Sequence, residues 1–259
     1  MSFAFDLYVD RPSWLHRLDP RTKLAFVVFS SVLLLSFSHP VVPAAFLLGI
    51  HAILWSGKVP ASRLRWAWQT MWPVTFLILL LWPIFYPQGN EVLWQVWRIR
   101  ITTQGLWQGL GMALRVDALA FAFLALLCST DQARLVRGLV KLGLPYEWGL
   151  TLAIALRYLP TLYGTYTTVS EAQQARGWVV GEGNLVQRIK SYLPILVAVI
   201  VTSLRLADNL SLALAARGFQ SGAKRAHLRE LELRPADKVG LLLLAVSLIV
   251  FLIVRFRAW

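Results

Sequence analysis

Two arginines stand in the same short context, Ala175-Arg176-Gly177-Trp178 and Ala216-Arg217-Gly218-Phe219. Each tetrad closes a long stretch of helix-compatible residues. Its glycine falls where a helix end takes the left-handed conformation that a side chain penalises. Both guanidinium groups therefore belong to a last turn, where the negative end of the helix dipole favours a cation. A planar fork in that place can pair bidentately with a carboxylate. One copy alone reads as a C-cap arginine with its stop glycine. Two copies with the same flanks, one per long helix, point to a pair of equivalent contacts on a partner.

Catalytic constellations do not accompany these arginines. No Gly-x-x-x-x-Gly-Lys-Ser/Thr loop is present to cradle a nucleotide phosphate, and no His-Glu-x-x-His to hold zinc. His16, His39, His51 and His227 are scattered and read as loop or interface histidines. The 13 acids form no Asp-rich pair spaced for magnesium diphosphate. Cys128 is the single cysteine, which excludes an internal disulfide and a thiolate cluster, and its apolar surroundings read as core packing. The chain is expected to be no enzyme and to carry neither cofactor nor metal.

The elements that must position the arginines are membrane helices. With 57% apolar side chains, 15% charge and a mean hydropathy of +0.58, 259 residues are too apolar for a soluble domain. The net charge of +13 does not signal nucleic acid, because the basic residues bracket apolar runs instead of interleaving with aromatics on a polar face. The first ten residues lack the basic region and small-residue cleavage site of a signal peptide, so the first helix is expected to remain as an anchor.

Leu18-Asp19-Pro20-Arg21-Thr22-Lys23 precedes the first run. Asp19 can cap a helix and Pro20 take its first position, with Arg21 and Lys23 at the lipid headgroups. Leu24–Phe37 and Val41–Trp55, separated by His39-Pro40, read as a helical hairpin of short spans. Pro73–Phe85 is a third span, ending at the turn Pro87-Gln88-Gly89-Asn90. Glu91–Arg100 alternates Trp with polar residues, as an amphipathic piece on the outer surface would. Leu106–Leu127 is the fourth span. Arg115 and Asp117 inside it point to different helix faces, so they are not expected to pair with each other; Asp117 or Arg115 is expected to bond another helix, with a transport role as the alternative.

Asp131–Leu142 is a short amphipathic helix, basic on one side. Pro145–Arg176 and Leu185–Arg217 are the long helices, with bends expected at Pro160 and Pro194. Arg157 interrupts the apolar middle of the first. The pair is expected to cross and run out to one cytoplasmic surface. Tips set far apart, facing lipid or sealed in the bundle, would end the case for that role. Ser221–Lys238 is polar and basic, and Val239–Val254 is a final span. With the N-terminus inside and about five spans, only Arg98, Arg100, Arg255 and Arg257 of 26 basic residues fall outside, which agrees with the positive-inside bias. The fold class is thus an all-α polytopic membrane protein with about five transmembrane helices, one short amphipathic helix and two long cytoplasmic helices. Residues 1–128 hold four spans, 129–238 the cytoplasmic helices and 239–259 the last span.

Nearly the whole chain resembles the transmembrane T component, EcfT, of energy-coupling factor transporters, a branch of the ABC importers. The likeness rests on the Leu18–Lys23 motif, Arg157-Tyr158-Leu159-Pro160, Glu171-Ala172-Gln173-Gln174-Ala175-Arg176-Gly177, and Ala216-Arg217-Gly218-Phe219. The resemblance implies that the long helices are coupling helices whose motif residues, Ala175, Arg176, Gly177, Ala216, Arg217 and Gly218, dock into two cytoplasmic EcfA-like ATPase subunits. Arg157, Pro160, Glu171 and Pro194 would support those helices. It further implies a place in a prokaryotic cell membrane beside a small S component that binds a vitamin or metal ion. A conventional ABC permease with its own substrate path is the alternative. Glu171-Ala172, Gly177, Ile189 and Leu193-Pro194 loosely match its coupling loop, but the spacing is off and the second tetrad has no place in it. A membrane scaffold without energy coupling and an intramembrane enzyme stand further off.

Overall fold

Asp19, Pro20 and the serine-studded apolar run behind them begin the helical frame as the sequence suggests. In the computed structural model, residues 8–9, 11–37, 39–86, 92–96, 99–178, 181, 184–219 and 234–257 are described. The expected turn at 87–90, most of the basic stretch from Ser221, and His227 lie outside these residues. The order is α1 (Trp14–Arg17), α2 (Pro20–Ser36), α3 (Val41–Ser56), α4 (Ala61–Phe85), β1 (Val92–Val96), β2 (Ile99–Thr102), α5 (Thr103–Ser129), α6 (Gln132–Lys141), α7 (Tyr146–Ala175), α8 (Leu185–Ala216) and α9 (Pro235–Arg257).

The chain is an α-helical, multi-pass membrane protein, with one small antiparallel ribbon among the described residues. Expected as an amphipathic surface piece, the 91–100 region instead pairs Gln95 with Arg100 and Val96 with Ile99. From Trp97 to Thr102 apolar and polar residues alternate, which is the period of a strand. Among the described residues, α4, α5 and α8 are long and apolar enough to cross a membrane. At 17 and 16 residues, α2 and α3 are shorter than the about 20 that span a full hydrocarbon core. The third span was expected from Pro73, yet α4 begins at Ala61 and runs through both Pro73 and Pro83.

Two packing units emerge, residues 1–143 with 231–259, and residues 144–230. In the first, α5 is the central helix and packs against α2, α3 and α4. Leu34, Ile50, Leu54, Phe121 and Cys128 are wholly or almost wholly buried there. Gly109 lets α5 approach closely, since a Cβ there would sit 3.3 Å from Trp82 Cβ. Phe121 packs its ring 4.5 Å from His51 and 5.1 Å from Trp68. The Trp68 indole donates to His51 Nε2 at 3.1 Å, which leaves Nδ1–H to donate to Leu47 O at 2.8 Å. Both nitrogens of His51 are thereby satisfied inside the protein.

Arg115 and Asp117 each bond another helix or its end, as their spacing suggested. Thr75 on α4 donates to Asp117 Oδ1 at 2.7 Å, and Arg115 Nη2 donates to the Phe37 carbonyl at 2.6 Å. Buried polar groups in a bundle need such partners. Asp19 caps α2 by accepting from Arg21 N at 2.9 Å, with Pro20 in the first turn. Lys23 departs from expectation. Instead of reaching headgroups it is buried and donates to Ser129 O at 2.8 Å and Thr130 Oγ1 at 3.1 Å. An ammonium there satisfies a carbonyl at the end of α5 and meets the negative end of its dipole. Asp237, in the first turn of α9, accepts from Asp19 N at 2.7 Å and from Arg234 N at 3.0 Å. One carboxylate thus ties the starts of α2 and α9 together.

Candidate coupling site on the long helix pair

Both Ala-Arg-Gly tetrads end their helices in the same way. Gly177 has φ +82° and Gly218 φ +70°, the left-handed region that a side chain strains. At the first end, Gly177 N–H donates to Gln174 O at 2.9 Å and Trp178 N–H to Gln173 O at 3.0 Å. At the second, Gly218 N–H donates to Ala215 O at 2.9 Å and Phe219 N–H to Leu214 O at 3.1 Å. These are two copies of one Schellman motif, in which the glycine and the residue after it close the last carbonyls. The arginine is the C-cap in each, with φ, ψ of −84°, 7° at Arg176 and −87°, 9° at Arg217.

Ala175, Arg176, Gly177, Ala216, Arg217 and Gly218 are all exposed. A Cβ at Gly177 would meet nothing within 4 Å, so glycine is required there by conformation rather than by space. Both aromatic residues make contacts within the helix pair itself. The Trp178 indole turns back to donate to Ser191 O on α8 at 2.8 Å, and Ser191 Oγ accepts from Gly181 N at 3.1 Å. Ser191 lies in the turn that Pro194, lacking an N–H, loosens, and its carbonyl has a second lone pair to offer. Phe219 lies with its ring 6.5 Å from that of Tyr146, at the start of α7. Sequence alone did not mark Ser191 or Tyr146; each is an ordinary helix residue until the fold brings an aromatic to it.

These two contacts fix the direction of the pair. The end of α7 lies by the start of α8, and the end of α8 by the start of α7, so the helices are antiparallel. The arginine tips therefore stand at opposite ends of the pair, separated by about a helix length. Thirty residues at ~1.5 Å each make that on the order of 45 Å, less whatever a bend removes. The tips are exposed and not sealed away, but they are far apart, the outcome that was to end the case for two tips meeting at one surface. The reason is connectivity. A short link between consecutive helices reverses the chain, and helix C-termini then face opposite ways.

Arg157 and Glu171 are exposed on α7, and Pro160 and Pro194 are partly buried inside continuous helices. No side-chain hydrogen bond from these four to either tip is seen among the described residues, so their place is along the shafts. Among the described residues no three His, Cys, Asp or Glu side chains gather as metal ligands.

Comparison with known proteins decides the family. The family model described as CbiQ, cobalt transport protein, matches residues 11–228. A Streptococcus equi subsp. equi protein named energy-coupling factor transporter transmembrane protein EcfT is 34% identical over 252 residues, covering 92% of this chain and 91% of that one. Its namesake in Lactococcus lactis subsp. cremoris is 32% identical over 256 residues, covering 95% and 94%. That of Listeria innocua is 34% identical over 250 residues, covering 92% and 93%. The chain belongs to the EcfT family of energy-coupling factor transporter transmembrane components. Members are non-catalytic couplers, so the chemistry of this EcfT chain lies in its contacts and not in a reaction. The far-apart tips thereby correct the expected geometry of the site, not the family.

Proposed function

We propose that this chain transmits work from two ABC-type ATPase subunits to a small substrate-binding membrane subunit, for uptake of a vitamin or transition-metal ion. The N-terminus faces the cytoplasm, and about five spans hold the chain in the bilayer. Arg176 and Arg217 each enter a groove on a different ATPase subunit, where a carboxylate receives the guanidinium. What supports this reading most is the pair of matching C-caps, each projecting one exposed arginine from a glycine-closed turn.

Opposite tips suit two partners better than one. A single groove cannot receive two cations a helix length apart, whereas two ATPase copies present two like grooves. The exposed apolar flank of α8, including Leu196, Val197 and Ile200, gives the substrate-binding subunit or the bilayer a surface to lie on. Relative motion of the ATPases would then act at the two ends of one lever pair.

The test is co-purification of the tagged chain with co-expressed ATPases from its own cell. Arg176→Ala and Arg217→Ala should each weaken association, by ~2 to 5 kcal/mol if the contact is buried. The double variant should insert normally and lose the ATPases altogether. Full association and uptake with both arginines gone would refute the proposal. Recovery of ATPases without any small membrane subunit would favour the conventional permease.

A further inference from the structure

Between α1, α2, α3, α5 and α9 lies a cavity of about 490 Å³ that the coupling role does not use. Phe26, Phe29, Ile53, Leu126, Leu243 and Leu244 are among its walls. It is partly open, and its few polar wall groups are already engaged. Lys23 donates to Ser129 O and Thr130 Oγ1, Ser129 Oγ to Leu126 O and Ser247 Oγ to Leu244 O, while Thr22 Oγ1 turns to Asp237. Apart from the Trp14 indole at the open end, the polar wall groups already have partners, so the deep part of the cavity suits hydrocarbon. Water would gain no partners there, and an empty gap would forfeit the dispersion contacts of its lining.

One end of the cavity is marked by charge. Asp237 accepts from Asp19 N and Thr22 Oγ1, which joins the starts of α2 and α9 at this end, so Arg17, Arg21 and Lys238 stand around it, although none of the three lines the cavity. Arg21 Nε is buried without a hydrogen-bond partner among the described residues, its nearest carboxylate oxygen being 3.8 Å away on Asp19. Trp14, which also lines this end, is half exposed, as a residue at headgroup depth would be. From Thr22 to Phe29 on α2, and from Gly240 to Ser247 on α9, the cavity continues about 10 Å inward at ~1.5 Å per residue.

We infer that this cavity binds one acyl chain of an anionic phospholipid, with the headgroup held at the end marked by Arg17, Arg21 and Lys238. The cations supply the complementarity to a phosphate, and the walls supply apolar contact for the upper part of the tail. A bound lipid would fill the space between α2, α5 and α9 that protein atoms leave.

The full chain, in nanodiscs of phosphatidylcholine with increasing phosphatidylglycerol, tests this with a phosphatidylglycerol carrying a diazirine in its tail. Crosslinks mapped to Phe26, Leu126 and Leu244 should saturate as phosphatidylglycerol rises. Those to the exposed Leu77 and Leu80 of α4 should grow in proportion. Ser247→Phe, which fills the cavity from the partly exposed α9, should reduce the cavity crosslinks several-fold and leave those on α4 unchanged. Arg17→Gln with Lys238→Gln should keep tail entry but bring phosphatidylglycerol and phosphatidylcholine to parity as competitors. Proportional labelling at every site, equal competition by the two lipids in the unsubstituted chain, or protection of the cavity by a second copy or another protein would overturn the inference. Should Ser247→Phe not fold, the saturation curve of the unsubstituted chain decides alone.

Discussion

The bundle around α5 and the α7–α8 pair draw on the same apolar residue types and close in opposite ways. Half of the most apolar 18-residue stretch of α5 is buried, against 6% for the corresponding stretch of α8. Charged side chains follow the same division. In the bundle, Lys23, Arg115, Asp117 and Asp237 all have hydrogen-bond partners on other elements. On the pair, Arg157, Arg176, Arg205, Asp208 and Arg217 are exposed. Burial with most of the enclosed charges paired makes a scaffold that stands by itself. Open apolar flanks and unburied cations make an element that something else completes.

Substitutions inside the bundle sharpen this contrast most. Phe121→Ala removes a fully buried ring that packs on His51 and Trp68, and should cost about 3 kcal/mol or more. The expected result is a large fall in the melting temperature of the detergent-purified chain and in its monodisperse yield. Next comes Lys23→Met, which keeps the length of the side chain but leaves Ser129 O and Thr130 Oγ1 without their donor. Its cost should be about 2 kcal/mol, with Lys23→Arg recovering only part, because a planar fork does not fit where a compact ammonium sits. An unchanged melting temperature for Lys23→Met would mean that the cation is not part of what closes the bundle.

Lys23 also shows what a sequence can and cannot tell. Most helices are legible from apolar runs and punctuation: Asp19-Pro20 starts α2, Gly177 and Gly218 stop α7 and α8, and Pro145 precedes α7. Arg115 and Asp117 could be expected to bond elsewhere, because their spacing forbids bonding to each other. Lys23 is different. A lysine before an apolar run is normally a headgroup anchor, and only a carbonyl 106 residues away makes it an internal cap. The far-apart tips were hidden likewise, since helix direction depends on which ends meet across the pair. The contacts of Trp178 and Phe219 were hidden as well, because their partners, Ser191 and Tyr146, carry no signal of their own. The strand period shows in the sequence only over 97–102, and the run Val92-Leu93-Trp94 breaks it, so the segment was expected to be amphipathic without being read as a strand.

Gly177→Ala and Gly218→Ala test the pair itself. Each places a side chain at positive φ, which costs about 1 kcal/mol and is best relieved by fraying the last turn. Hydrogen exchange should rise at Trp178 and Phe219, whose amides close the two motifs, while the melting temperature of the whole chain changes little. ATPase association should fall more than stability does. Asparagine, which tolerates the left-handed region better, should restore part of it at either site. Equal losses of stability and association would show that the tips matter to the fold and not to a partner.

The smallest effect carries the comparison furthest. Leu196 is 54% exposed on α8, beside Ile195 at 1%. Leu196→Ser should alter the stability of the purified chain by no more than about 0.5 kcal/mol, since it removes little buried area. Ile195→Ala, by contrast, should cost about 2 kcal/mol, because it opens a cavity. In the assembled transporter the order should reverse, with Leu196→Ser weakening retention of the small membrane subunit more than Ile195→Ala does. Should Leu196→Ser destabilise the isolated chain as strongly as Ile195→Ala, α8 would already be covered from within. The division between a closed bundle and an open pair would then fail at the helix that most depends on it.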